Sequence, residues 1–528
     1  DTTADVEAPD VSGATTIAFS GQSATATGTG AEVTDGVVII TAGGTYVVTG
    51  TMTEGRILVN APKEEVTLVL QDASITCSTG SPLYVYKSKA TTLYLPEGTA
   101  STLTDGTDYT FSDSYSSAEE EEPNACLYSK SDLIIAGSGS LTVNANYNNG
   151  ITGKDTLFIQ KASVTVTAVN HGINGKDSLT IKDADITVTS GGDALRSTND
   201  SDPTLGYLVI TGSALKLTAG EDGIQAETTL TISGGTATVT TAGGAGQSIS
   251  DDISAKGLKA GTQVTVTGGT FQLNCCDDAI HSNGDVTISG GSFTIATSDD
   301  GMHADDTLSI SSGTIDITRS YEGLEGAKVL ISGGKISIVA SDDGINAAGG
   351  SDQSGSGGFG FAPDAFGGSG DYLIRISGGV VTVNASGDGI DSNGDIEVTG
   401  GELYISGPTS NGDGAIDCDG SATITGGIVV AAGSTGMAEN FGTASTQGSI
   451  LVNLSGSAGQ TITLKDSDGN ILASFTPAKA FGCVVVSAPG VAQGGTYTIA
   501  AGGASTTVTM ESLIYGSGMG GFGGMGGG

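Results

Sequence analysis

The chain has 528 residues and a formal net charge of −39, from 58 acidic and 19 basic residues. This charge excludes nucleic acids and anionic membrane surfaces as partners, because both are bound through basic patches. It favours cations, or acidic ligands that reach the protein through a bridging cation. Charged residues make up only 15% and hydrophobic residues 37%, so we expect a folded core and not a disordered acidic tail. No apolar run is long enough to span a membrane.

The first 60 residues are predicted to form N-terminal strands. Apolar and polar residues alternate from residue 15 to 60, as in GVVIITAGGTYVVTGTM. A period of two is typical of a β-strand with one buried face. We expect these strands to begin the fold and to cover the open edge of the repeat that follows.

Residues 61–445 contain an internal repeat of about 22 residues, seen in NHGINGKDSLTI, DDAIHSNGDVTI and DDGMHADDTLSI. Each repeat holds short alternating strands joined by Ser-Gly or Gly-Gly turns, and such strands cannot close a core alone. Stacked about 4.8 Å apart, they would bury their inward side chains against one another. The sequence therefore predicts an all-β parallel β-helix with three strands per coil. Its inward stack would include Ile280, Met302, Leu324 and Ile345.

The C-terminal part differs from the repeat. Residues 446–511 contain hairpin-type turns at DSDGN and AQGG, which predict a small antiparallel β cap domain. The segment 512–528 ends in GSGMGGFGGMGGG, with Met or Phe at every third position, the period of a polyproline-II-like helix. A flexible tail is the alternative. This tail and the aromatic, glycine-rich insertion 349–372 are candidate contacts between copies of the chain.

An acidic residue recurs just before the Gly or Ala that opens each repeat. Neighbouring carboxylates would lie about 4.8 Å apart and repel by about 3.5 kcal/mol at an effective dielectric near 20. Such a column needs protons, amide donors or cations, and oxygen-rich turns suit Ca²⁺. The alternative is that each acid is a turn residue whose side chain binds nearby amides. The predicted metal ligands, including two from neighbouring columns, are Asp222, Asp278, Asp300, Asp305, Glu322, Asp343, Asp388, Asp391 and Asp413.

Four basic side chains near this column are candidate ligand-binding residues. His281 and His303 lie one coil apart, and they either bind a softer metal with a neighbouring aspartate or stack as turn features. Arg196 lies near the acidic corner. Lys256 interrupts the acidic column, where it would neutralise its neighbours without a metal. No catalytic residue is predicted, because the clustered acids follow from the repeat itself.

Several phrases of the sequence resemble one known family. GYLVITGSALKLTAGEDGIQAETTLTISGG, SDDGINAAGG and DSDGNILASFTPAKAFGCVVVSAPG are similar to the clostridial cell-surface carbohydrate-binding β-helix family, which is related in shape to polysaccharide lyases. The resemblance extends from about residue 15 to 511. It implies an extracellular right-handed parallel β-helix that binds calcium and plant cell-wall polysaccharide, either cellulose or acidic sugars such as polygalacturonate. It also favours binding over catalysis.

The leading hypothesis is therefore a secreted calcium-binding β-helix that adheres to polysaccharide without cleaving it. The start DTTADVEAPD resembles a processed N-terminus. The six cysteines lack CxxC spacing and are predicted either to form a disulfide, such as Cys77–Cys126, or to be unpaired core residues. The alternatives are a self-assembling extracellular filament or surface matrix protein, and a polysaccharide lyase.

Overall fold

A computed structural model describes residues 5–250, 252–348 and 371–516. These residues form β-strands and turns, with no helix and therefore no helix that could cross a membrane. The chain divides into two compact units. Unit 1 is Asp1–Gly243 with Asp252–Cys275, and unit 2 is Gly244–Asp251 with Cys276–Gly528. The 349–372 insertion and the 512–528 tail lie mostly outside the described residues, so their proposed contacts stay predictions.

Unit 1 begins with short strands that pair with its first repeats. In chain order the strands of unit 1 are β1 (Thr15–Gly21), β2 (Ser23–Thr27), β3 (Ala31–Thr34), β4 (Val37–Ile40), β5 (Gly44–Met52), β6 (Arg56–Asn60), β7 (Glu65–Cys77), β8 (Leu83–Lys87), β9 (Ala90–Tyr94), β10 (Ala100–Asp105), β11 (Ala125–Ser129), β12 (Asp132–Ala136), β13 (Ser140–Ala145), β14 (Asn149–Gly153), β15 (Thr156–Gln160), β16 (Ser163–Ala168), β17 (Ile173–Gly175), β18 (Ser178–Lys182), β19 (Asp185–Ser190), β20 (Leu195–Ser197), β21 (Tyr207–Thr211), β22 (Ala214–Ala219), β23 (Ile224–Ala226), β24 (Thr229–Thr241), β25 (Leu258–Ala260) and β26 (Gln263–Cys275).

The strands of unit 1 form three parallel ladders. In the first, β10, β13, β16, β19, β22, β24 and β26 pair in that order. The second joins β8, β11, β14, β17, β20, β23 and β25. The third joins β9, β12, β15, β18, β21 and β24. At the N-terminal end, β1 pairs with β2 and β3 with β4 in antiparallel fashion.

Unit 2 continues the repeat and adds the C-terminal strands. In chain order its strands are β27 (Ile280–Ser282), β28 (Asp285–Ile288), β29 (Ser292–Thr297), β30 (Met302–Ile310), β31 (Thr314–Ser320), β32 (Leu324–Ile331), β33 (Lys335–Ala340), β34 (Ile345–Ala347), β35 (Leu373–Ile376), β36 (Val380–Ala385), β37 (Ile390–Ser392), β38 (Asp395–Val398), β39 (Glu402–Ser406), β40 (Ile416–Cys418), β41 (Ala422–Ile424), β42 (Ile428–Gly433), β43 (Ser449–Gly456), β44 (Ile462–Lys465), β45 (Ile471–Phe475), β46 (Phe481–Ser487), β47 (Thr496–Ala501), β48 (Ala504–Thr509) and β49 (Ile514–Tyr515).

Unit 2 also has three parallel ladders. They run through β29, β31, β33, β36, β39 and β42, through β27, β30, β32, β34, β37 and β40, and through β28, β30, β32, β35, β38 and β41. Strand β46 joins β42 to β43 in antiparallel fashion. A separate antiparallel sheet has the order β45-β44-β47-β48. The predicted small antiparallel C-terminal region is therefore present.

The core of each unit consists of aliphatic stacks. Buried and exposed residues alternate along the strands, as in β19 and β22, because successive side chains point to opposite faces. In unit 2, Met302 pairs with Leu324 and Leu324 with Ile345, and these side chains and Ile280 are fully buried. The prediction of stacked parallel strands with this inward column is therefore confirmed.

Two further predictions concern the cysteines and the domain boundaries. None of the six cysteines, all of which the structure describes, forms a disulfide, and all but Cys418 are buried. Cys77 and Cys126 are therefore core residues and not a disulfide pair. The boundaries predicted at residues 60, 445 and 511 stay predictions. The two-unit division instead falls inside the repeat.

Candidate functional site

The recurrent turn position forms a hydrogen-bonded column in each unit, here called the turn column. Its members are Asn149, His171, Asp193, Asp222 and Lys256 in unit 1, and Asp278, Asp300, Glu322, Asp343, Asp388 and Gly414 in unit 2. Most polar members accept the backbone N–H of the next member. The N–H of Asp300 donates to Asp278 Oδ1 at 3.0 Å, and that of Asp222 donates to Asp193 Oδ1 at 3.1 Å. One oxygen of each such aspartate therefore accepts a backbone N–H, as turn residues do. The partner of the second oxygen differs from one repeat to the next.

A second column, the strand column, follows three residues after the first. Its members are Thr152, Asn174, Arg196, Gln225 and Lys259 in unit 1, and His281, His303, Glu325, Asn346, Asp391 and Asp417 in unit 2. In unit 2 His281 pairs with His303 and Asn346 with Asp391, as the sequence register predicts. These side chains lie next to the second oxygens of the turn column.

In unit 1 the strand column supplies cations. Arg196 Nη1 lies 3.4 Å from Asp193 Oδ2, and Lys259 Nζ lies 3.3 Å from Asp222 Oδ2. Burial alone would raise the pKa of Asp193, but the contacts with His171 and Arg196 lower it below its ordinary value. The predicted metal ligand Asp222 is thus already paired with a protein cation. Arg196, a predicted ligand-binding residue, serves the same purpose for Asp193.

Lys256 occupies a turn-column position and is buried, with 5% of its surface exposed. Its backbone N–H donates to Asp222 Oδ1 at 2.8 Å, and Ser254 Oγ donates to the same oxygen at 2.7 Å. Burial raises the pKa of Asp222 in spite of the nearby Lys259. Lys256 therefore lies inside the protein and is not placed to meet a polysaccharide directly.

In unit 2 the first partners of the acids are imidazoles. His281 Nδ1 lies 2.8 Å from Asp278 Oδ2, and its ring stacks on His303 with centroids 4.9 Å apart. His303 Nδ1 faces Asp300 Oδ2 at 3.2 Å and Glu325 Oε2 at 2.6 Å. His303 Nε2 lies 3.1 Å from Asp305 Oδ1. The predicted ligands Asp278, Asp300 and Asp305 are therefore brought together around two stacked histidines.

The protonation of His303 determines what this cluster can bind. Burial alone would lower the pKa of His303, but the Asp300 and Glu325 carboxylates raise it to about 12. The ring therefore carries a proton on both nitrogens at neutral pH, and both N–H groups face carboxylates, so a metal would have to displace one of these protons. This geometry favours the stacked-turn alternative for His303 over a transition-metal site.

One repeat further on, the cationic partner is replaced by an amide. Asn346 Nδ2 lies 3.0 Å and 3.2 Å from the two carboxylate oxygens of Glu322. Burial, together with repulsion from Glu325, raises the pKa of Glu322 to about 8. The amide donor satisfies the oxygens of Glu322 but does not neutralise its charge.

The next repeats bring three carboxylates together. One oxygen from each of Asp343, Asp388 and Asp391 lies within 4.8 Å of the others. No described lysine, arginine or histidine forms an ion pair with Asp343 or Asp388. Burial, and then repulsion from neighbouring aspartates, raises the pKa of Asp343 to about 9 and that of Asp388 to about 8. Without a cation, these groups hold protons at neutral pH.

The donor set here fits calcium. It consists of oxygens only, which Ca²⁺ prefers, and carboxylate oxygens this close can share one ion. A Cβ added at Gly387 would collide with oxygens of Asp342 and Asp343, so only glycine leaves the space between this residue and the acids. In the first group, Asp343, Asp388 and Asp391 would hold the calcium ion. In a second group of oxygen ligands, one oxygen from each of Asp277, Asp278 and Asp299 also lies within 4.8 Å of the others.

One predicted ligand is displaced from the column. Gly414, and not Asp413, accepts the N–H of Gly389 through its carbonyl and donates its own N–H to Asp388. The register is fixed by Asp391 pairing with Asp417, which moves Asp413 one residue outward, where Ser410 Oγ donates to it at 2.6 Å. The alignment on the residue before glycine is wrong at this repeat.

Three functional side chains were not among the predicted ligands. Glu325 and Lys259 contact turn-column partners from the strand column, and Asp342 lies beside the Asp343 group. The sequence contains a pattern that could have identified Glu325 and Lys259, because each stands three residues after a turn-column member. The sequence does not show that an offset of three residues brings two side chains together in every repeat.

Both units thus belong to one class, an all-β repeat protein with a buried acidic column at one turn. A family model described as carbohydrate-binding domain-containing protein matches residues 34–301 and 299–410, well over half of the chain. The chain therefore belongs to this carbohydrate-binding family, as the sequence resemblance predicted. A carbohydrate-binding domain-containing protein of Acetivibrio thermocellus is 42% identical over 204 residues, which cover 38% of this chain and 70% of that protein.

A solved structure is also similar. It is titled the polysaccharide lyase-like protein from C. thermocellum, gadolinium derivative, and is 35% identical in sequence with a TM-score of 0.42. The match covers 44% of this chain and 92% of that chain.

Proposed function

We propose that the protein is a secreted right-handed parallel β-helix that binds calcium and adheres to cell-wall polysaccharide without cleaving it. The ligand is cellulose or an acidic sugar polymer such as polygalacturonate. The coil of about 22 residues is supported by the three parallel ladders of each unit. Carbohydrate binding is supported by the family to which the chain belongs.

The observation that carries the proposal is the Asp343, Asp388 and Asp391 group. One oxygen from each acid lies within 4.8 Å of the others, and burial raises the pKa of Asp343 to about 9 and that of Asp388 to about 8. A bound Ca²⁺ replaces the protons and leaves coordination positions for ligands from outside. An acidic polysaccharide can therefore reach this strongly acidic chain through the ion and without direct contact between carboxylates.

Binding without cleavage is proposed from the charged surroundings of Asp343 and Asp388. A lyase needs a basic residue to remove a proton beside the metal-bound uronate. Among the described residues, no lysine, arginine or histidine forms an ion pair with Asp343 or Asp388. Incubation with pectate, alginate and glycosaminoglycans should give no rise in ultraviolet absorbance from unsaturated products. Such a rise would establish a lyase instead.

The binding claim is tested by isothermal titration with polygalacturonate, with calcium and with EDTA. We expect binding only with calcium, and loss of binding in the double variant Asp343→Asn/Asp388→Asn. Asp413→Asn is the matched control, because Asp413 lies outside the turn column and should leave binding unchanged. Absence of calcium-dependent heat in the unmodified protein contradicts the proposal.

A further inference from the structure

Arg319 differs from every other arginine of the chain. Arg56 pairs with Asp113, Arg196 with Asp193, and Arg375 with Glu397. Arg319 is exposed and forms neither an ion pair nor a hydrogen bond with any residue that the structure describes. In a chain with 58 acidic residues, a guanidinium without a carboxylate partner among the described residues is a candidate to bind an anion from outside.

A β-bulge sets the direction of Arg319. Ile295 pairs with Ile317 and Ala296 with Arg319, so two residues of β31 oppose one of β29. Thr318 and Arg319 are consequently both exposed, which interrupts the alternation along β31. Bulges of this kind re-aim a side chain and are frequent beside functional sites.

The guanidinium is also held in place. A Cβ at Gly246 would lie 3.0 Å from Arg319 Nη1, so the side chain lies against this backbone. The loop around Gly246 is fastened by Ser298, whose Oγ accepts the Gly246 N–H at 2.7 Å and donates to Gln247 O at 3.1 Å. The side chain of Arg319 is therefore partly ordered before it binds an anion, which reduces the entropy cost of binding.

Tyr321, two residues further on, presents an aromatic surface. It is 41% exposed, whereas Tyr84 and Tyr128 are fully buried. Its N–H donates to Asp299 O at 2.8 Å, and the Asp342 N–H donates to Tyr321 O at 3.0 Å, so Tyr321 lies between these two acids in successive repeats. The Asp342 carboxylate lies against the phenol and raises the pKa of Tyr321. An apolar ring with polar flanks suits a sugar.

The distance between Tyr321 and the calcium group indicates how long a ligand must be to contact both. The Gly387 N–H donates to Asp342 O at 3.0 Å, so Tyr321, Asp342 and Gly387 stand in three successive repeats. Two repeat spacings are about 10 Å. A polysaccharide that lies along these turns can therefore contact both Tyr321 and an ion held by Asp343.

We propose that Arg319 and Tyr321 form a sugar subsite that needs no calcium of its own. The guanidinium binds the carboxylate of a uronate residue, and the pyranose ring of that residue packs on Tyr321. Arginine suits this role because its planar fork matches a carboxylate in two parallel hydrogen bonds. The inference rests on the proposed function and adds to it the part of the surface that selects uronate over neutral sugar.

The test is titration of the full chain with oligogalacturonate in calcium buffer. We expect Arg319→Gln to weaken binding about tenfold, equivalent to about 1.4 kcal/mol, and Tyr321→Ala to weaken it about fivefold. Tyr321→Phe keeps the ring and should stay within about twofold of the unmodified protein. Arg375→Gln and Tyr515→Ala are matched controls elsewhere in unit 2 and should bind normally.

Two readouts separate this subsite from the calcium site. Calcium affinity and melting temperature should be the same in Arg319→Gln and Tyr515→Ala as in the unmodified protein, because neither residue belongs to the turn column. Tyr321 contacts Asp342, so its variants are compared by sugar binding alone. If Arg319→Gln and Tyr321→Ala bind as tightly as the unmodified protein while EDTA still abolishes binding, the subsite is refuted and the proposed function stands. If the unmodified protein does not bind oligogalacturonate with calcium, both fail. Loss with Tyr321→Ala but not with Arg319→Gln refutes uronate recognition.

Discussion

The two units neutralise the same turn column in different ways. In unit 1 the acids Asp193 and Asp222 are paired with Arg196 and Lys259. In unit 2 the partner changes along the column, from histidine to the amide of Asn346 and then to other carboxylates at Asp343. The backbone hydrogen bond to the column is common to both units. The difference shows that most column members act as acceptors at this turn in both units, whereas the strand column decides whether a carboxylate is available to an external cation.

The largest effect is expected from His303→Gln in unit 2. The imidazolium is buried among Asp300, Glu325 and Asp305, and removing one partner of a buried charge pair costs about 3–5 kcal/mol. Chemical denaturation at pH 7 should show this loss in the free energy of unfolding. A loss below about 1 kcal/mol would mean that His303 is not the cation of this cluster.

The next effect concerns calcium at the Asp343 group. A ligand present at 100 times its dissociation constant stabilises the folded state by about 2.7 kcal/mol. Asp343→Asn should remove this stabilisation, because an amide contributes no charge to the site. Melting curves with and without calcium measure it. The same calcium response in the variant and the unmodified protein would place the ion elsewhere.

Lys259→Gln tests whether unit 1 depends on its own cation. It leaves Asp222, which is 3% exposed, without its cationic partner. We expect a loss of about 2 kcal/mol, less than for His303 because the Lys259 side chain is 26% exposed. Lys216→Gln, a change of an exposed lysine on β22, is the control for a lost surface charge. Equal stabilities of these two variants would contradict the role of Lys259.

Asp193 in unit 1 should respond to pH with the opposite sign to Asp343 and Asp388 in unit 2. The pKa of Asp193 is lowered in the folded state, so its contribution is present above its ordinary pKa of 3.8 and is lost as the pH falls. The pKa values of Asp343 and Asp388 are raised to about 9 and about 8, so the folded state holds extra protons above pH 3.8. Their contribution is present at low pH and is lost as the pH rises towards 8 or 9.

The measurable consequence lies between pH 5 and 8 in the absence of calcium. There the free energy of unfolding should fall with rising pH, by up to about 1.4 kcal/mol per pH unit for each such group. Calcium should reverse the slope, because it replaces the protons. Asp343→Asn should flatten it. A calcium-free protein whose stability rises from pH 5 to 8 would show that these acids are ionised.

Much of the fold follows from local patterns in the sequence. The period of about 22 residues and the alternation along strands place Met302 over Leu324 and Leu324 over Ile345, as the structure has them. The register fails at Asp413, since the residue before glycine is a weaker marker than the apolar position that enters the core. Ile390 pairs with Ile416 and thereby fixes Gly414 in the column.

The sequence predicted the acidic residues of the site but not their partners. Acidic residues at Asp222 and Asp343 have the same sequence context, and both were predicted as metal ligands. Lys259 pairs with the first, whereas the second has other aspartates beside it. Whether an acid is a turn residue or a metal ligand depends on these neighbours, which come from other positions of the repeat and from other repeats.

The sequence by itself determines the parallel stacked strands, the acidic turn and its repetition, because these depend on the alternation and spacing of residue types along the chain. The tertiary structure decides which carboxylate meets a lysine, a histidine or another carboxylate. It also turns Arg319 outward through a β-bulge that the sequence repeat does not predict. The physical reason is that charge compensation depends on distances between side chains from different repeats, and a small shift in register changes every partner.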